Sequence, residues 1–160
     1  MRFASLMKTD MPPSFEHAAS LFQLALRCYV SWVFLKSGLL KIGDWDSTLA
    51  LFEYEYRVPL LPPHLAALFG TAGELVFPIL LMLGLLGRIS ALGLFFVNVL
   101  AVVSYQHVLL QDGFEAAIAQ HYLWGLMLAV LVIYGPGRLS ADALMTRFMP
   151  AAASTRLRAA

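Results

Sequence analysis

Four long apolar stretches constrain this chain more than any other feature. They run from about Ser20 to Leu40, Leu65 to Gly87, Ile89 to Leu110 and Ala116 to Tyr134. Crossing a bilayer core takes roughly 20 helical residues, and each stretch has about that length. In lipid the backbone finds no water, so such a stretch must close its own hydrogen bonds as a helix. The runs are too continuous for the in–out alternation of a membrane barrel. Of the residues, 60% are hydrophobic and 13% charged, too few charges to cover a water-soluble fold of this size. The expected fold is therefore all-α, an integral membrane four-helix bundle.

The domain reading follows from those spans. Residues 1–19 form a cytoplasmic segment, 20–135 the bundle (spans about 20–40, 65–87, 89–110 and 116–134), and 136–160 a cytoplasmic tail. The first span is not expected to be a cleaved signal: it holds Arg27 and Lys36 and lacks a short apolar core with a small-residue cleavage site. Gly135-Pro136-Gly137 stops the last span. Beyond it Ser140 or Asp142 is placed to cap a short helix, and Ala151 to Ala160 reads as disordered.

Charge sets the orientation. Arg2, Lys8, Arg88, Arg138, Arg147, Arg156 and Arg158 fall on the side of the termini, against Lys41 and Arg57 on the other. Lys and Arg mark the cytoplasmic face, so both termini lie inside a bacterial inner membrane. The net charge of +1 supplies no basic field for nucleic acid. In the first outer loop, Trp45, Leu49, Phe52 and Tyr56 recur at helical spacing, which predicts a short interfacial helix. Pro59, Pro62 and Pro63 end it.

Glu74 is the residue most suggestive of chemistry. It lies about 14 Å into its span at 1.5 Å per residue, where an ionisable group is costly and normally faces the bundle interior. Pro78, four residues on, has no N–H to bond the Glu74 carbonyl. A carboxylate and a free carbonyl thus share one level. They suit a proton or quinone site, or a structural ion pair with Arg27 or Lys36. Those two bases are nine residues apart, on nearly opposite faces, so they cannot both meet Glu74; either can instead snorkel to the headgroups.

His64, His107 and His121 fall on the outer side. His107 ends the third span and His121 begins the fourth, so the pair can approach across the hairpin and offer a copper, zinc or haem site. They serve equally as hydrogen-bonding groups facing a quinone. Tyr29, Trp32, Trp45, Tyr54, Tyr56, Tyr105, Tyr122 and Trp124 form an aromatic belt, part of which can wall a quinone pocket. Gly70, Gly73, Gly84 and Gly87 allow close helix packing. The single cysteine, Cys28, excludes an intramolecular disulfide. Nucleophile triads, phosphate loops and dinucleotide fingerprints do not occur, and no reaction by this chain alone is expected.

An ordered set of residues resembles the DoxX family of small bacterial membrane proteins, over about residues 24 to 142. It comprises Arg27, Phe34-Leu35-Lys36-Ser37-Gly38, Lys41-Ile42, Asp44, Phe52, Tyr54 and Pro59-Leu60-Leu61-Pro62. Gly73-Glu74-Leu75, Pro78, Leu83-Gly84-Leu85, Arg88 and the run from Gly135 to Asp142 complete it. The resemblance implies a four-helix membrane protein. It also implies association with thiosulfate:quinone oxidoreductase or other membrane redox and oxidative-stress complexes, and in some relatives with metal-handling or peptide-modification clusters. His107 and the run His121 to Trp124 resemble a subset of the family.

Together these readings predict a quinone-linked accessory subunit. Glu74 handles protons, and Arg27, Lys36, Glu74, His121 and Trp124 bind the quinone. The expected partners are the lipid bilayer, a membrane or periplasmic protein and further copies of the chain. The alternatives are a non-enzymatic membrane scaffold and a metal-linked or transport role through His107 and His121.

Overall fold

The structure is a computed structural model that describes residues 13–148. Six helices follow in order: α1 (Pro13–Gly43), α2 (Trp45–Tyr54), α3 (Pro63–Leu83), α4 (Gly87–Leu109), α5 (Glu115–Tyr134) and α6 (Ala141–Phe148). Four of them, α1, α3, α4 and α5, are long and apolar enough to cross a membrane. The chain is a multi-pass helical membrane protein. The expected disorder of Ala151 to Ala160 lies outside the described residues.

Helix α1 overruns its apolar stretch at both ends. At 31 residues it is about 46 Å long, against a hydrocarbon core of about 30 Å. Glu16 lies in its first turn, where a negative charge favours the helix dipole. At the far end the helix continues past Leu40 to Gly43, which carries Lys41 on the helix rather than in a loop.

Packing is sequential. Helix α3 lies against α1, α2 and α4, while α5 closes on α4 and more lightly on α1. The central core joins Val30 and Phe34 of α1, Leu81 of α3, Ala91 and Leu94 of α4, and Leu128 and Leu131 of α5. Outward faces carry large apolar side chains such as Phe22, Trp32, Phe96 and Leu126. That distribution suits a lipid surround, where apolar surface needs no burial.

Helix α2 folds over the start of α3. Asp44 caps it, accepting from Ser47 N at 3.1 Å and Ser47 Oγ at 2.6 Å. Those bonds hold the Asp44 carboxyl below its ordinary range. Phe52 packs on Ala66 and Ala67 with Trp45, Leu49 and Tyr56 half-buried around it, so the stripe read from the sequence packs toward α3 with Phe52 at its buried centre.

The opposite end of the bundle is a clasp. Arg27, 1% exposed, donates to the carbonyls of Pro136 at 2.5 Å and Leu139 at 2.8 Å. Asp142 accepts from Leu86 N at 2.9 Å and Gly87 N at 2.8 Å, which caps α4 from a remote part of the chain. Ser140 caps α6 instead, accepting from Ala143 N at 3.2 Å. Arg138 pairs with Glu16. The clasp leaves no room at Gly87, where an added Cβ would lie 2.5 Å from Pro136 Cβ.

This placement corrects two expectations for Arg27. It neither pairs with Glu74 nor snorkels to the surface. The carbonyls released by the Gly135-Pro136-Gly137 break return to the bundle end and take its guanidinium.

Candidate functional site

Glu74 is buried, and its partner is Lys41. The Lys41 Nζ donates to Glu74 Oε1 at 2.7 Å and Oε2 at 2.5 Å, and to Ser37 Oγ at 2.9 Å. The side chains retain 14% and 10% of their exposure, so the pair is largely desolvated. Neither Arg27 nor Lys36 forms it. Gly38 brings the helices together: a Cβ there would sit 2.9 Å from the Leu75 side chain and 3.1 Å from the Glu74 carbonyl carbon. Lys41 follows Gly38 by three residues, so it projects from nearly the same face of α1, one turn on.

The pair borders a cavity of about 450 Å³ between α1, α2, α3, α4 and α5. Phe34, Phe52, Phe69, Leu100 and Trp124 supply apolar wall; Lys36, Lys41, Tyr56, Glu74, Ser104, Tyr105 and His121 supply polar groups. Lys36, Glu74, His121 and Trp124 are thus brought to one cavity, whereas Arg27 stands apart in the clasp.

An aromatic row crosses one side of this space. Phe52 and Tyr56 meet edge to face at 4.9 Å, and Tyr56 and Tyr105 at 5.2 Å. Arg57 N donates to Ser104 O at 2.9 Å, tying the segment after α2 to α4. Tyr105 donates to Glu55 Oε2 at 3.3 Å. Burial first, then the nearby Glu74 carboxylate, raises the Tyr56 phenol above its ordinary range. Tyr56 therefore remains a hydrogen-bond donor at neutral pH.

The other side is built by His121 and Asn98. The His121 Nδ1 lies 2.8 Å from Asn98 Oδ1, and Asn98 Nδ2 donates to the His121 backbone carbonyl at 3.0 Å. The imidazole meets Trp124 edge to face at 4.9 Å, and Trp124 meets Phe34 at 5.8 Å. His107 packs instead on the Tyr105 ring at 5.6 Å and is not part of the cavity wall. No cluster of three or more His, Cys, Asp or Glu suited to a metal occurs among the described residues.

Two site residues escaped the sequence reading. Lys41 lies just past the apolar run that ends at Leu40, so only Arg27 and Lys36 were weighed as partners for Glu74. Asn98 is neutral, so neither charge nor hydropathy marks it, although a carboxamide within a span usually seeks a partner helix.

The DoxX family model matches residues 22–107. The chain is also similar to an uncharacterized protein of Haemophilus influenzae, 31% identical over 134 residues that cover 79% of this chain and 85% of the relative. No solved structure matches it. On the family match and the relative together, the chain belongs to the DoxX family.

Proposed function

We propose that this protein is a quinone-binding accessory subunit of a redox system in the bacterial inner membrane, with both termini cytoplasmic. The observation that carries this reading is the Lys41–Glu74 pair facing a cavity rather than packed side chains. A purely structural pair would be expected to be enclosed, because a desolvated ion pair is held best when every remaining lone pair is met. Ligand cavities span roughly 300–1,000 Å³ and are mostly apolar with a few convergent polar groups. The space beside Glu74 has that character, and aromatic walls suit a flat ring.

The roles follow from the groups. Lys41, and Lys36 at the rim, donate toward a ring oxygen. Glu74 takes or returns a proton within the Lys41 and Ser37 network. Trp124 and Phe34 confine the ring. Cys28 is a single thiol and offers no dithiol exchange, so electrons pass through a membrane or periplasmic partner. The positive-inside count supports an orientation with the clasp on the cytoplasmic side and the cavity in the outer half.

Calorimetric titration of the protein in lipid nanodiscs with a short-tail ubiquinone tests the reading. Wild type is expected to bind saturably. Ala101→Phe, which places a ring into the cavity from α4, is expected to abolish binding, and Glu74→Gln to alter its affinity at least tenfold. Wild-type binding in both variants would reject the site.

A further inference from the structure

Resting on the quinone reading above, we infer that the cavity takes the reduced, hydroxyl-bearing form of its ligand in preference to the oxidised form. Asn98 of α4 is 4% exposed. One end of its amide faces the backbone carbonyl of His121 at 3.0 Å. A carbonyl only accepts, so that end is the nitrogen, and the orientation of the amide is decided by its partner. The other end is then the oxygen, 2.8 Å from His121 Nδ1. An amide oxygen also only accepts, so Nδ1 must carry a hydrogen.

No carboxylate pairs with the His121 ring among the described residues. An imidazolium half-buried between Asn98 and Trp124 would lack a counter-ion, which is costly in an apolar setting. The ring is therefore the neutral Nδ1–H tautomer, and its remaining nitrogen, Nε2, is a lone pair. His121 contributes to the cavity wall. With Nδ1 committed to Asn98, the nitrogen it offers a ligand is an acceptor.

This acceptor discriminates between the two redox forms. A hydroquinone hydroxyl donates to Nε2. A quinone carbonyl placed there brings lone pair against lone pair with no hydrogen between them. The charged pair is less selective, because Lys41 donates and Glu74 accepts. The preference thus comes from the His121 side, and a hydrogen bond made rather than missed is worth about tenfold in affinity.

Parallel titrations with short-tail ubiquinol, kept anaerobic, and short-tail ubiquinone test this. The expected result is about tenfold tighter binding of the quinol to wild type. In His121→Phe the two affinities converge while both ligands still bind, and Asn98→Ala, which frees the tautomer, narrows the ratio. Equal affinities, or tighter quinone binding, in wild type would overturn the inference and leave the quinone reading standing. A tenfold preference that persists in His121→Phe would also overturn it. Binding of neither form would remove both.

Discussion

Replacing Lys41 by Met probes the ion pair beside the cavity. The substitution keeps an unbranched side chain, one atom shorter, and removes its charge. It leaves the Glu74 carboxylate, bonded at 2.7 and 2.5 Å in the native protein, without its cation. Removing one partner of a buried pair costs about 3–5 kcal/mol, because the remaining charge stays desolvated. The side chains keep 14% and 10% exposure, so some solvent relief remains and the lower end, about 3 kcal/mol, applies. Glu74→Leu alone strands Lys41 in the same way. The double variant strands nothing and should fall within about 1 kcal/mol of wild type, since apolar replacements of buried pairs are often neutral. Equilibrium unfolding by SDS in mixed micelles, followed by helical circular dichroism, measures all four proteins. The two single losses should fail to add. A cost below about 0.5 kcal/mol for Lys41→Met, as for a solvated surface pair, would refute the reasoning.

Three further outcomes are expected. Arg27→Met removes the charge-assisted bonds to Pro136 and Leu139 and should destabilise by about 2–4 kcal/mol, with faster proteolysis after Tyr134 as the local readout. Gly87→Val forces its Cβ onto Pro136, 2.5 Å away, and should cost at least about 2 kcal/mol by opening the clasp, seen as a lowered Tm. The raised Tyr56 phenol binds its proton more tightly folded than unfolded, so stability should decline as pH climbs above about 10, the ordinary phenol range. Alkaline melting of Tyr56→Phe against wild type reads this out, and an equal decline in both would contradict it.

The fold was legible because lipid leaves the backbone few choices. Each of the four apolar runs had to be a helix, and the Trp45, Leu49, Phe52 spacing marked the face that α2 turns toward α3. Glu74 was legible as a site for the same reason, since a carboxylate within a span must find a partner. Which base it finds was not. Hydropathy reports where a helix meets lipid, not where it ends, and α1 carries Lys41 beyond the apolar run. Arg27 was misplaced because its partners are backbone carbonyls, which have no signature in residue identity. Asn98 was invisible because an amide changes neither the charge count nor the hydropathy of a span by much.

The cap on α4 has a consequence for how the chain is made. The first backbone amides of α4 are satisfied by Asp142, which emerges from the ribosome more than a whole span after them. Until α5 has been inserted and the segment behind it released, that helix start stays open. Completion of the bundle is therefore coupled to synthesis at least as far as Asp142. A chain interrupted before Asp142 would present the membrane's proteases with an uncapped helix and an unclasped Arg27, two marks by which an unfinished copy differs from a finished one.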